Sequence, residues 1–329
     1  MDSIPKIVVL TPMKNESWII DLFLQVTSTF ADKIIIADQN STDESIKICQ
    51  RYEKVHLIQN SDNQYNEASR QTLLIKTARK LVPEHKILLA LDCDEILAAN
   101  SLQSVGWKKM IHASPGTMLF FKKPNLFMST EWYDEAPADF LGGFIDDGSP
   151  HNPELIHSIR LPQPDNAPKL IIEDVVFMHY CLIRPKAQEA KYRMYCALEN
   201  MEGTKSLYTR RRYYNSKRVL KPIHEVKKTN QDWFKGWEDQ NIEPKTIKDE
   251  KYYWQNDVTL DLIINNGSKR FWLDDIWNFD WNDLLKRRLD LPHIKIKYPP
   301  FLLRFISRIL FNLIFLIADI KNSLLSRSK

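Results

Sequence analysis

The stretch KILLALDCDEIL (residues 86–97) decides how the chain is read. An apolar run, Ile87 to Leu91, ends abruptly in Asp92-Cys93-Asp94-Glu95. A short unbroken apolar run, rather than an alternating one, predicts a strand covered on both faces, as in a parallel sheet. The three carboxylates at its end repel one another unless all of them face water or they share a cation.

The same pattern recurs upstream. KIVVLT (6–11), KIIIAD (33–38) and VHLIQ (55–59) are short β-branched runs of the same kind. Between them lie helical segments: 17–30 with Ser17 as cap, 42–53 with a Thr42 cap and acids in the first turn, and 66–81. The order βαβαβαβ predicts an α/β fold, a doubly wound, mostly parallel sheet with helices on both faces. Ligands of such sheets lie beyond the carboxyl ends of the strands. Those ends read Thr11-Pro12-Met13-Lys14-Asn15-Glu16, Asp38-Gln39-Asn40-Ser41 and Asp92-Cys93-Asp94-Glu95. Neither GxGxxG nor GxxxxGK[ST] occurs, which disfavours dinucleotide dehydrogenases and P-loop enzymes.

Further along, 116–121 reads as a strand, followed by a loop-rich section to about 168. KLIIEDVVFMHY (169–180) reads as a strand interrupted by Glu173-Asp174, and 186–201 as a helix. Residues 205–290 mix a basic helix with Trp-rich segments, whose aromatic faces suit sugar rings on an acceptor side or else form core.

At 329 residues the chain suits one large domain with appendages, or two domains. Its four cysteines have no zinc-like spacing, and its start has no secretory signal pattern, so a reducing cytoplasmic setting is expected. The net charge of +4 is uneven: residues 284–329 hold ten Lys/Arg against Asp290 and Asp319. This basic tail points to an anionic partner. Phe301 to Ile320 reads as a helix with a very wide apolar face, and Arg304, Arg308 and Asp319 make a full membrane span costly. A helix lying in the plane of a membrane surface is the expectation, with packing on the protein as the alternative. Aromatics are not interleaved with the bases as stacking on nucleic acid requires, so no nucleic-acid partner is expected.

The DxD arrangement Asp92-Cys93-Asp94 suits a hard divalent cation, Mn²⁺ or Mg²⁺, which takes one or two carboxylates plus substrate phosphates. IVVLTPMKNESWIIDLFL, ADKIIIADQNSTDESIKI, YNEASRQTLLIKTAR and ILLALDCDEIL together resemble the successive motifs of family 2 glycosyltransferases with the GT-A fold. The likeness is nearest to bacterial members with a TP-x-K-N-E strand end. It covers roughly residues 5–100, and GGFIDDGS (142–149), IHSIR (156–160) and VVFMHY (175–180) fit more loosely.

The resemblance implies roles. Thr11, Pro12 and Glu16 would border the base and ribose of a nucleotide-sugar donor, and Asp38 would accept from the base. Arg70 would face the diphosphate, Asp92 the ribose or metal shell, and Asp94 would ligate the metal. Cys93 lies between them and points toward the core; Glu95 would be a supporting acid. His179 stands where some members supply a third metal or phosphate ligand, and Lys191 and Arg193 would neutralise phosphate. For the base, Asp146 and Asp147 in the Gly-rich loop compete with Glu173 and Asp174, with Asp147 slightly favoured.

The expected domains are a catalytic region 1–204 (donor half 1–100, acceptor half 101–204), a helical extension 205–297, and an amphipathic membrane-associating helix 298–329. The expected activity is metal-dependent, inverting transfer, probing toward a UDP-sugar as donor and a glycan or lipid-linked acceptor in surface-polysaccharide synthesis, at the cytoplasmic face of the inner membrane. The alternatives are a polyprenyl-phosphate glycosyltransferase and a catalytically silent membrane-associated scaffold.

Overall fold

The computed structural model describes residues 4–60, 67–135, 139–152, 159–215, 222, 224–247, 253–288 and 294–327, with side chains through 320. The chain divides into two compact units, residues 1–183 with 223–250, and residues 184–222 with 251–329. This division differs from the sequence-based one at 204 and 297: the helix after residue 184 belongs to the second unit, and 223–250 return to the first.

The first unit opens with β1 (Lys6–Met13), α1 (Ile20–Phe30), β2 (Lys33–Asp38), α2 (Ser45–Cys49), β3 (Val55–Gln59), α3 (Glu67–Leu81) and β4 (Lys86–Ala90). The order β4-β1-β2-β3 is parallel throughout, as the alternating pattern predicts. Both faces are covered, which is why these strands carry no polar stripe. Ile7, Val9, Ile34, Ile36, Ile87 and Leu89 pack on the α1 side with Phe23 and Leu24. Val8, Leu10, Ile35, Leu88 and Ala90 pack on the other side with Leu74, Ile75 and Ala78 of α3.

The sheet then changes character. β5 (Glu95–Leu97) and α4 (Val105–Ile111) lead to β6 (Met118–Lys122), β7 (Asn125–Phe127), β8 (Trp132–Asp134), β9 (Phe140–Ile145) and β10 (Lys169–Leu182). β9 enters antiparallel between β4 and β6. β10 is one fourteen-residue strand rather than an interrupted one; the Glu173-Asp174 step is absorbed as a register shift against β6 between Ile172 and Val176.

The second unit holds α5 (Pro185–Glu202) and α6 (Leu207–Tyr213). The chain then returns to the first unit with β11 (Val226–Lys228), which pairs with β8, and α7 (Asp232–Glu238). The second unit is completed by α8 (Trp254–Asn266), α9 (Trp281–Arg287) and α10 (Phe301–Arg327). Most of the Trp-rich segments are core: Trp237 is buried in the first unit, and Trp277 and Trp281 in the second.

Helix α10 is long and apolar enough over Phe301–Ile320 to cross a membrane, with 6% of that stretch buried. A narrow stripe that includes Ser307, Phe311 and Phe315 packs on the second unit, where Phe315 meets Tyr208 of α6 and Phe311 lies beneath the Arg211 guanidinium. Phe305, Ile306, Ile309, Leu313 and Ile317 are exposed.

Candidate functional site

The parallel strands bring Thr11, Asp38 and the Asp92–Glu95 turn to one end of the sheet, since β1 pairs in register with both β2 and β4. The loop after β1 is fastened to the loop after β2. Asn15, at φ 52°, donates its N–H to Ser41 Oγ (2.8 Å) and accepts from Thr42 N at its side-chain oxygen (2.7 Å). Glu16 N donates to Ser45 Oγ (2.8 Å) and Ser17 N to Asp43 (3.0 Å), so Ser17 and Thr42 serve loop pairing rather than the helix caps predicted for them. Asparagine tolerates the left-handed conformation that this crossing needs.

Two polar atoms at this end are buried without a partner among the described residues: Thr11 Oγ1 and Arg70 Nε. Arg70, on α3, reaches the end of β2 and donates from Nη1 to Gln39 Oε1 (2.8 Å). Buried groups of this kind cost stability unless something completes them. Asp38 is 1% exposed, and its carboxylate accepts long bonds from Ser41 N (3.4 and 3.2 Å). Burial pulls the pKa of Lys14 down while Asp38 draws it up. Pro12 offers its carbonyl to Cys93 Sγ, and the Cys93 side chain is buried, its thiol pushed well up by burial; it contributes packing and not a donor contact. Glu16 accepts from Trp18 Nε1 (2.7 Å).

The acidic turn is neutralised in large part by the protein itself. Glu95 is fully buried and accepts from Lys123 Nζ (2.9 Å), Arg160 Nη1 (2.8 Å) and Asp92 N (3.0 Å). Burial alone would raise its pKa, but Arg160 and Lys123 outweigh that and push it down to about 2. Arg160 also pairs with Asp92, so Asp92 is bridged rather than open as a metal ligand. The IHSIR segment contributes Arg160; its residues 156–158 lie outside the described ones.

Asp94 faces His179. Asp94 Oδ2 and His179 Nε2 stand 3.5 Å apart, and His179 Nδ1 is 2.7 Å from Asn125 Oδ1. Nδ1 can meet that oxygen only as a donor, which leaves Nε2 and Oδ2 as two acceptors pointed at one another. Something positive belongs between them: a second proton on the imidazole or a metal ion. Burial works against a charged imidazole, yet Cys181 and Asp94 prevail and hold the His179 pKa well above its ordinary value. Among the described residues no three acidic, histidine or cysteine side chains converge as a ready-made cage. A carboxylate and an imidazole with an oriented second nitrogen still fit a Mn²⁺ or Mg²⁺ ion whose shell substrate phosphates complete.

The base candidates Asp146, Asp147 and Asp174 are elsewhere. β9 runs antiparallel to β4, so its end lies at the start of β4, and Asp146 N donates to Lys86 O (3.0 Å). Six residues of strand separate Lys86 from Asp92, about 20 Å at roughly 3.3 Å per residue. Asp146 is a buried ion-pair hub held by Arg79 (2.8 Å) and Lys86 (3.3 Å), and Asp147 folds back on Ser149 N (2.9 Å). Asp174 precedes His179 by five residues of β10, again about 16 Å. It accepts from Gly106 N (3.0 Å) at the start of α4. A Cβ on Gly106 would stand 1.9 Å from Asp174 Oδ1, so only glycine lets this carboxylate cap the helix. Arg193 is buried in the second unit against Asn256 Oδ1 (3.1 Å), Glu189 and the Phe279 ring, a structural pin; Lys191 lies on the same helix near Tyr195.

One feature escaped the sequence. Glu95, His179, Asn125 and Asp134 form a register row across β5, β10, β7 and β8. At its far end Asp134, fully buried, accepts from His224 Nδ1 (2.8 Å) and from His224 N (3.1 Å). The imidazole is a third exposed. Ninety residues separate the two, and no local pattern links them.

Comparison with known proteins bears on this end of the sheet. Residues 8–105 match glycosyl transferase family 2. That span runs from β1 through the acidic turn and includes Thr11, Asp38, Arg70 and Asp94. No curated protein matches the chain. Among solved structures, glucosyl-3-phosphoglycerate synthase from Mycobacterium tuberculosis, in complex with Mn²⁺, UDP and glucosyl-3-phosphoglycerate, is 18% identical at a TM-score of 0.26. That alignment covers 37% of this chain and 44% of that one, so the match spans less than half of the solved protein. HddC from Yersinia pseudotuberculosis is 11% identical at a TM-score of 0.31, with 54% of this chain and 93% of that one covered.

Proposed function

We propose that the protein transfers a glycosyl group from a nucleotide sugar, a UDP-sugar by preference, to an acceptor hydroxyl with inversion. The observation that carries this reading is the facing pair Asp94 Oδ2 and His179 Nε2, a carboxylate and an imidazole 3.5 Å apart beyond the end of β4, with Asp94 inside the family 2 span. The unpartnered Thr11 Oγ1 and Arg70 Nε lie at the same end of the sheet and suit a bound nucleotide diphosphate. Asp94 and His179 would hold a divalent ion, which when bound offsets the charge of the departing diphosphate. Lys123 and Arg160 keep Glu95 and Asp92 neutralised so that the turn does not repel the donor.

In the transfer the bond from the anomeric carbon to the diphosphate oxygen breaks and a bond to the acceptor oxygen forms. The acceptor proton needs a base. His224 is suited to that role, because Asp134 takes its Nδ1–H and leaves Nε2 with the lone pair. Two strand spacings separate Asp134 from His179 along the register row, about 10 Å, room for a sugar between donor and base. Surface-glycan or lipid-linked acceptors, and seating of α10 on the cytoplasmic membrane face, belong to the same proposal. Thermal-shift titration with UDP, GDP and dTDP, each with and without Mn²⁺, tests the donor assignment. A stabilisation by one nucleotide that needs the metal supports it; no response to any nucleotide in the folded protein overturns it.

A further inference from the structure

The second unit contains a cavity of about 240 Å³ beside the first turns of α10, distinct from the strand-end site. Arg211 of α6 and Arg304 and Arg308 of α10 line it, together with Ser307, Trp272 and Phe305. Arg304 and Arg308 stand at i and i+4 on one helix face, a spacing at which like charges repel. Arg308 has no hydrogen-bond or ion-pair partner among the described residues, and Arg211 uses Nη1 on Leu273 O (2.6 Å) with its plane over Phe311. Ser307 lies between the two helical arginines, is 7% exposed, and its hydroxyl has no partner among the described residues. The acids of the cavity do not balance it. Asp274 is claimed by Arg210 (2.9 Å), so Arg210, Arg211, Arg304 and Arg308 against Asp274 and Asp275 leave two positive charges over.

We infer that this cavity seats the phosphate headgroup of a membrane lipid, with Arg308, Arg304 and Ser307 as its donors. Guanidinium groups and a hydroxyl are the donors that phosphate oxygens take, and charge-assisted bonds of this kind are the strong ones. The source is a lipid rather than a free anion because the mouth is apolar: Phe301 and Phe305 line it and are 73% and 53% exposed, continuous with Ile306, Ile309 and Leu313 along the helix. A headgroup held there leaves its chains against that face. The arginines that make a full span costly thereby acquire a partner at the helix's foot. This inference rests on the membrane seating of α10 and is independent of the donor site.

The test is flotation of the full chain with vesicles of phosphatidylcholine alone and with added phosphatidic acid. Wild type is expected to bind the phosphatidic acid vesicles more tightly. Arg308→Gln should lose that gain about tenfold, and Ser307→Ala part of it, with binding to phosphatidylcholine alone unchanged. A Lys295→Gln, Lys297→Gln double variant, basic residues ahead of the helix and outside the cavity, should lose less than Arg308→Gln. Equal losses in the two would mean diffuse surface attraction and overturn the cavity. Binding to both vesicle types alike overturns the headgroup seat while leaving membrane seating intact, and binding to neither overturns both. Stabilisation by inorganic phosphate with no gain from phosphatidic acid would assign the cavity to a free anion and overturn the lipid.

Discussion

Replacing Asp146 by asparagine separates a structural acid from a catalytic one. Its side chain is 2% exposed, and its partners Lys86 and Arg79 are 8% and 28% exposed. Removing one member of a buried ion pair costs about 3–5 kcal/mol, because the remaining charge stays desolvated. Asparagine keeps one acceptor and Arg79 retains some water, so the lower end, about 3 kcal/mol, is expected. In urea denaturation this appears as a lower midpoint at unchanged slope. Nucleotide binding in the folded variant should match wild type, since about 20 Å of strand lies between this acid and the DxD turn. The pH dependence has a definite sign. Burial would raise the Asp146 pKa, but Arg79 and Lys86 prevail and depress it below the ordinary carboxylate range. Its stabilisation is therefore complete above the unfolded value and is lost as pH falls through the folded one. Below pH 4 wild type should lose stability that Asp146→Asn no longer has to lose. An asparagine variant as stable as wild type but unable to transfer sugar would make Asp146 a catalytic acid and not a structural one.

Other expectations follow from the same contacts. Thr11→Val removes a buried hydroxyl without a partner; it should stabilise the free protein by about 1 kcal/mol in thermal unfolding while weakening nucleotide binding, and a variant neutral in both assays would argue against a donor contact. Asp174→Ala should cost about 1 kcal/mol through the lost helix cap and leave the transfer rate alone. His224→Gln should lower the transfer rate by roughly 10²–10⁴ without changing donor affinity; an unaltered rate would remove His224 from the mechanism. Trp237→Ala, which empties a buried ring site and frees Leu97 O from its 2.7 Å bond, should cost about 3–5 kcal/mol in denaturant unfolding.

The parallel half of the sheet was legible in the sequence because parallel strands covered on both faces leave continuous apolar runs, and because all of them end on the same side. Asp38 and Asp94 follow from those two facts. The second half was not, since β9 reverses direction. The acids of IDDGS look like strand-end acids in the chain, yet an antiparallel strand delivers them to the opposite end. Asp174 misled for a related reason: a bulge kept the strand continuous and turned the carboxylate toward the start of α4. Arg160 and the His224–Asp134 pair depend on contacts between residues 65 to 90 positions apart, which no spacing rule reports. In the tail, Arg304 and Arg308 were visible as charges on an apolar helix, but the cavity they line needs Arg211 from another helix.

The most direct test of the central claim is calorimetric titration of the full chain with UDP in the presence and absence of Mn²⁺, on wild type and on Asp94→Ala. Binding is expected to require the metal in wild type and to disappear in the variant while the variant stays folded. Binding indifferent to Mn²⁺, or retained by Asp94→Ala, would contradict a metal-assisted donor site at the end of β4.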